Sequence, residues 1–202
     1  MVDYSIENEY REKGFDIICG VDEAGRGPLA GPVYAAAVIL PSDCVIEGLN
    51  DSKKLTEKKR EALFDEIKEK ALAYGIASAD EKEIDEINIL NATFLAMKRA
   101  IDSLSVRPDL ALIDGNQKPH TDIEEVTVIK GDAKSMSIAA ASVLAKVSRD
   151  RFMLEMAEKY PQYEFARHKG YGTKLHYEKI AQYGVCDIHR RTFLKKIFGE
   201  QK

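Results

Sequence analysis

Four carboxylates in this chain stand where packing alone would not put them. Asp22 and Glu23 follow a nearly unbroken apolar run, Ile17-Ile18-Cys19-Gly20-Val21, and lead into Ala24-Gly25-Arg26-Gly27-Pro28. Asp114 closes the apolar run 110–113 and is followed by Gly115, and Asp132 follows the run 126–129 across Lys130-Gly131. Asp and Glu are seldom buried without a partner, so strands that deliver acids to their rims point to a metal or an acid/base task. For the first pair alone, an ordinary strand-to-turn exit with Asp22 accepting turn N–H groups is the bland alternative. Three such strand endings shift the balance towards chemistry.

If those strands are neighbours, the acids converge on one edge of a sheet. Like charges at that range raise one another's pKa and oppose ionisation unless cations sit between them. Oxygen donors with no histidine or cysteine among them select Mg²⁺ or Mn²⁺. Two such ions about 3.5–4 Å apart can activate a water and stabilise the leaving oxygen in phosphodiester cleavage. Successive strand side chains point to opposite faces, so Asp22 and Glu23 share a site only if the strand bends or ends between them. Ala24-Gly25 makes that bend the expectation.

Gly25-Arg26-Gly27 invites a dinucleotide-cradle reading, which fails on spacing. Gly25-x-Gly27-x-x-x-Gly31 is one residue too long, and Pro28 and Pro32 prevent the helix that should follow. The glycines instead let backbone amides approach a substrate, with Arg26 beside them. Ser142, Lys146 and Arg149 recur at i, i+4 and i+7 on one helix, a polar stripe open to solvent or to phosphate. His168-Lys169-Gly170-Tyr171-Gly172 places an aromatic between two glycines, with room to meet a sugar or base, although a turn with a packed tyrosine is the plainer reading. His176 and His189 read as structural.

The elements that must hold these residues are legible from periodicity. Strands are expected from Ile17 and over 33–40, 73–79, 110–113 and 126–129. Helices are expected over 57–72 with Thr56 as N-cap, 87–104, and a long one from Ser135 or Ser137 to about Lys159. Two shorter helices follow near 174–182 and 192–198. The apolar stripe Leu90, Phe94, Met97, Ile101, Leu104 is core. The short connection between the first two strands makes them an antiparallel hairpin, so the expected class is α/β with a mixed sheet.

Composition sets outer bounds. The chain has 202 residues, 45% hydrophobic and 32% charged, and no apolar run approaches a membrane span. The acidic N-terminus is no secretory signal, so a cytoplasmic protein without membrane association is expected. Cys19, Cys44 and Cys186 are odd in number and widely spaced, which fits neither a disulfide framework nor a zinc site. The net charge of −4 is uneven. Residues 142–202 hold 13 Lys/Arg against 7 Asp/Glu, leaving 17 against 27 before them. A basic C-terminal face could neutralise phosphates, or could simply be solvated.

Five ordered blocks then resemble the bacterial ribonuclease HII family. They are Gly20-Val21-Asp22-Glu23-Ala24-Gly25-Arg26-Gly27-Pro28, Asp51-Ser52-Lys53-Lys54-Leu55, Leu112-Ile113-Asp114-Gly115, the Lys130–Lys146 region with Asp132, and His168-Lys169-Gly170-Tyr171-Gly172. The resemblance runs from about residue 15 to 190. It implies a ribonuclease H-like fold with a five-stranded sheet, flanking helices and a C-terminal helical extension. It also implies hydrolysis of RNA in RNA/DNA hybrids, and incision 5′ to single ribonucleotides embedded in duplex DNA, leaving 3′-hydroxyl and 5′-phosphate ends. By the same resemblance Asp22, Glu23, Asp114 and Asp132 are catalytic metal ligands for Mg²⁺ or Mn²⁺. Gly25-Arg26-Gly27 contacts the ribose 2′-hydroxyl and Tyr171 the sugar at the RNA–DNA junction, with His168 in the same loop. Lys53, Ser142 and Lys146 contact phosphate. The expected division is an N-terminal extension over 1–16, a catalytic core over 17–160 and a substrate-binding helical extension over 161–202, in a monomer. Related ribonuclease HIII enzymes carry an added N-terminal domain, for which the 16 residues before the first strand leave no room. The tail 197–202 shows no clear sliding-clamp peptide.

Overall fold

A computed structural model provides the structure and describes residues 2–198; residues 199–202 of the tail, where the sliding-clamp reading falls, lie outside them. Five strands form one sheet in the order β3-β2-β1-β4-β5: β1 (Ile18–Ala24), β2 (Val33–Ile39), β3 (Ala73–Ala79), β4 (Leu110–Asp114) and β5 (Glu124–Val128). β1 to β3 pair antiparallel, while β1 with β4 and β4 with β5 pair parallel, which is the mixed sheet expected. The last strand starts two residues early and stops before Ile129, which is exposed. The two added residues, Glu124 and Glu125, are charged and so lay outside the apolar run.

The helices are α1 (Ser5–Glu12), α2 (Glu57–Lys70), α3 (Glu81–Asp102), α4 (Met136–Lys159), α5 (Phe165–His168), α6 (Lys174–Tyr183) and α7 (Arg191–Phe198). Thr56 and Ser135 cap α2 and α4 as their sequences indicate. α3 begins six residues before the expected start at residue 87, on a capping box formed by Asp80 and Glu83. It is two helices joined at Asn88, whose φ of +67° breaks the path while its side chain accepts the amides of Leu90 and Asn91 as a second cap. Periodicity caught only the second half because five of the seven residues over 81–87 are charged.

α3 lies on one face of the sheet, where Ala92, Ala96 and Ala100 let it approach closely. α4 lies on the other face, and its first twelve residues apart from Lys146 are buried on every side. At Gly20 the approach is closer still: a Cβ there would fall 2.1 Å from the carbonyl carbon of Ser137, so only glycine lets helix and strand backbones meet. No described helix is long and apolar enough to cross a membrane. The cysteines are free thiols, with Cys19 and Cys44 buried.

The N-terminal extension is a helix, which its charged sequence concealed. Glu7 of α1 is buried, and its Oε1 accepts from the Ser135 hydroxyl (2.6 Å), the Ser137 amide (3.0 Å) and the Ser137 hydroxyl (2.6 Å). A carboxylate at the N-terminus of α4 also suits the helix dipole. Replacing Glu7 by Ala strands three buried donors, and the expected loss is about 2–4 kcal/mol of stability. Thermal unfolding of the variant checks this; an unchanged melting temperature would show that the contact contributes nothing.

Candidate active site

The parallel register of β1 and β4, with Val21 opposite Ile113, sets Asp22 and Asp114 side by side on the α4 face. Asp132 enters from the one-turn segment Gly131–Ala133 that precedes α4. That turn is drawn in by Asp114, whose Oδ1 accepts the Gly131 amide at 2.7 Å, and Lys130 adopts a left-handed conformation to make the corner. One carboxylate oxygen from each of Asp22, Asp114 and Asp132 lies within 4.8 Å of the others. Three of the four acids are therefore brought together.

Glu23 is the exception to the expected geometry. β1 does not bend between the two acids: Asp22 pairs with Ala36, Glu23 with Ala35 and Ala24 with Tyr34 in unbroken register. Strand alternation turns Glu23 away from the group of three, with its carboxylate 3.5 Å from the Arg26 guanidinium, yet it stays near enough for its charge to raise Asp22 and to feel Asp114 and Lys53.

Electrostatics at the cluster oppose charge. Burial, then the charges of Glu23 and Asp114, push Asp22 well above the usual carboxylate range. Burial likewise raises Glu23, against the pull of Arg26, and raises Asp132 with help from Asp114 and Asp51. Lys53, 3.6 Å from Asp132, feels burial too, but Asp22, Asp132, Asp51 and Asp114 together outweigh it and hold its ammonium above the ordinary lysine value. Clustered oxygens with no nitrogen or sulfur donor, destabilised as anions, are a donor set that a hard dication relieves.

A second patch adjoins the acids through Arg26. Gly25 has a φ of +102°, and Gly27 has space because its nearest neighbour is the Tyr171 ring, 3.9 Å from where a Cβ would stand. Tyr171 is 42% exposed on that side and packs its ring under the Arg149 guanidinium at 5.6 Å. The glycine-rich turn and the Tyr171 loop, 144 residues apart between Gly27 and Tyr171, are thus one surface.

His168 does not join it. The ring is buried, its Nδ1 accepts the Gly170 amide at 3.2 Å, and Nε2 then carries the proton donated to the Tyr163 carbonyl at 2.9 Å. His176 and His189 are structural as read. His189 Nδ1 accepts the Cys186 amide, its Nε2 donates to His176 Nε2 at 3.1 Å, and His176 Nδ1 donates to the Tyr171 carbonyl at 3.0 Å. Burial, then a positive charge on the neighbouring ring, lowers both His176 and His189 to about 4. As pH falls from about 6.5 to about 4, the unfolded chain takes up protons that the folded state refuses. Stability from these rings is complete above that window and lost through it, by roughly 3 kcal/mol for each ring alone. Urea unfolding at pH 7 and pH 5 checks the sign; equal stabilities for wild type and a His189→Gln variant's pH profile matching wild type would remove the effect.

The polar stripe on α4 resolves differently from its sequence reading. Ser142 is buried, its hydroxyl 2.7 Å from that of Ser52, and it acts on Asp22 to favour the anion. Lys146 donates to Asp150 at 2.7 Å, and Asp150 also lies 3.6 Å from Arg60, which donates to the Ser52 and Leu55 carbonyls beside Lys53. These residues brace the turn that carries Lys53. Arg149 is fully buried and belongs to no basic face, because each of its nitrogens donates to a backbone carbonyl. Sequence reasoning missed Glu7, Arg149 and Arg190 as architecture, since a charged residue in a polar-looking segment carries no mark of burial.

The family described as Ribonuclease HII matches residues 19–198. A ribonuclease HII of Caldicellulosiruptor bescii is 58% identical over 97% of this chain and 95% of its own length. Among solved structures, the ribonuclease H2 of Pyrococcus horikoshii aligns with a TM-score of 0.73 and 30% identity over 88% of this chain and 93% of its own. The PCNA:RNase HII complex of Archaeoglobus fulgidus contains a chain that aligns with a TM-score of 0.66 and 26% identity over 87% of this chain and 94% of that one. With near-complete coverage in sequence and fold, and with its acids gathered at the sheet edge, the chain belongs to the ribonuclease HII family and is an endoribonuclease that degrades the RNA of RNA/DNA hybrids.

Proposed function

We propose that this enzyme incises duplex DNA on the 5′ side of a single embedded ribonucleotide, as well as cutting longer hybrids, by two-metal-ion hydrolysis. The observation that carries this reading is the meeting of Asp22, Asp114 and Asp132 within 4.8 Å, next to a glycine-rich turn and an exposed tyrosine. Mg²⁺ or Mn²⁺ held by these acids, with Glu23 as a fourth ligand, would supply water activation and charge neutralisation at the scissile phosphate. Arg26, half-exposed beside Glu23, neutralises that acid until a phosphate or cation competes for either partner. Lys53, exposed and tethered to the acids only by charge, is placed to meet the phosphate backbone. The amides of Gly25-Arg26-Gly27 read the ribose 2′-hydroxyl, the group that separates RNA from DNA.

Tyr171 packs against the same sugar in this mechanism. Tyr171→Ala removes the ring and leaves the acids untouched, so cleavage at a lone ribonucleotide falls about 10–100-fold, in line with about 1–3 kcal/mol for stacking on one nucleotide. Binding to all-DNA duplex stays within about twofold. Equal cleavage rates for variant and wild type would remove Tyr171 from the site.

The test of the function itself is a duplex carrying one ribonucleotide, incubated with Mg²⁺ beside an all-DNA control. The expected product is a single nick 5′ to the ribonucleotide with a 3′-hydroxyl end. Equal cutting of the control, or no nick, would overturn the assignment. A cytoplasmic location, in contact with genomic DNA, goes with this role. Sliding-clamp association is a property of the archaeal relative, and a pull-down with a bacterial clamp decides it here.

A further inference from the structure

Two buried arginines converge on the glycine-rich turn, and neither has a carboxylate within salt-bridge distance among the described residues. Arg190 donates through Nε to the Gly31 carbonyl (2.8 Å), through Nη1 to that of Arg26 (2.9 Å) and through Nη2 to that of Gly25 (2.6 Å). Arg149 donates to the carbonyls of Pro32 (3.1 Å), Lys169 (3.0 Å) and Ala30 (3.1 Å). Both side chains are fully buried. Burying a guanidinium without an anion is costly, and an apolar side chain of similar volume would hold the fold at lower cost. The arrangement therefore asks for a purpose beyond packing.

Peptide geometry supplies one. In a trans peptide the carbonyl and the following N–H point in opposite directions. The structure has no cis peptide bonds among the described residues. Drawing the Gly25 and Arg26 carbonyls inward therefore turns the Arg26 and Gly27 amides outward. Neither amide has an acceptor among the described residues, whereas Leu29 and Gly31 in the same turn donate to Gly170 and Ile188. Two adjacent unpaired donors beside an exposed aromatic form a site for an oxygen acceptor.

We propose that Arg190 is a positioning residue for ribose recognition: its planar fork sets the carbonyls of Gly25 and Arg26 so that the amides of Arg26 and Gly27 are presented together to the 2′-hydroxyl. Arg149 supports the same turn from its other end and carries the Tyr171 ring. Lysine cannot replace Arg190, because an ammonium is a point donor and cannot hold three carbonyls in one plane. This inference rests on the reading of Gly25-Arg26-Gly27 as the ribose contact, and the experiment separates the two.

The variant is Arg190→Lys, which keeps the charge and most of the volume. The first readout is the amide NMR spectrum of the free, metal-free protein. The Arg26 and Gly27 resonances are expected to shift or broaden, while those of β4 stay in place. The second is steady-state cleavage of a duplex carrying one ribonucleotide, where kcat is expected to fall 30-fold or more with KM changed less than threefold. Unmoved amide signals, or a loss confined to KM, would overturn the positioning role. Moved signals with an unaltered kcat would instead overturn the ribose reading of the turn, and the proposal with it. Should Arg190→Lys not fold, the wild-type protein still decides. Arg26 and Gly27 amides are expected to exchange with solvent at least tenfold faster than Leu29 and Gly31, and to become protected when the same duplex is bound in EDTA. Protection of all four amides in the free protein would refute the outward presentation.

Discussion

Asp114→Asn is expected to all but abolish Mg²⁺-dependent cleavage while leaving the fold intact. The Asn side chain retains an oxygen that can accept the Gly131 amide, so the corner that brings in Asp132 survives. What is lost is one of three anionic oxygens within 4.8 Å of one another. Outer-shell partners of a metal ligand are already worth 10–100-fold, so loss of a ligand itself is expected to cost about 10³-fold or more in kcat. Metal-free stability is expected to move the other way. Asp114 is among the charges that raise Asp22 and Asp132, so neutralising it relieves repulsion among buried groups. In EDTA the variant should melt at the wild-type temperature or above it. A variant with near-normal Mg²⁺-dependent turnover, or one that melts well below wild type in EDTA, would sink the ligand assignment.

Gly25→Ala is expected to destabilise the fold strongly. The residue has a φ of +102°, and a Cβ there would lie 2.1 Å from Arg149 Nε and 2.4 Å from its Cδ. The left-handed backbone costs an alanine about 1–2 kcal/mol, and forcing atoms into a packed interior typically adds about 1–3 kcal/mol. Arg149 cannot step aside without releasing its three carbonyls. A total near 3 kcal/mol corresponds to a fall of about 6–12 °C in Tm for a chain of this size. Thermal unfolding measures it, and a fall of less than about 2 °C would mean that Arg149 does not pass where the structure has it.

Most of the fold could be read from the residues because its signals are local. Apolar runs gave all five strands, and Thr56 and Ser135 announced their helices. What escaped depends on contacts distant in sequence. Glu7 looks like any surface glutamate until Ser135 and Ser137, some 130 positions away, are seen to donate to it. Asn88 hides a break in α3 because its cap is made by its own side chain in a left-handed conformation. At the site, three acids were recoverable because each ends a strand or follows one. For Glu23 the expected bend is absent, since the β1–β2 ladder is continuous, and its tie to the other acids is through charge and not through membership of the group of three. Arg149 was read as part of an exposed stripe because helical spacing tells which residues share a face and not whether that face is covered. His168 was placed near the substrate by its neighbours in the chain, whereas the ring turns inward to hold the loop that presents Tyr171.

The backbone contact between Gly20 and the first turn of α4 bears on how cation preference in this enzyme can change. Asp22 lies two residues beyond that glycine and Asp132 lies just ahead of the helix, so main-chain atoms, with no compressible side chain between them, set the gap across the centre. Swapping one aliphatic core residue for another leaves such a gap alone. A shift towards a larger ion should therefore arise through exchange of the oxygen-bearing residues themselves, and selection for altered metal use should leave the interior sequence almost unmarked.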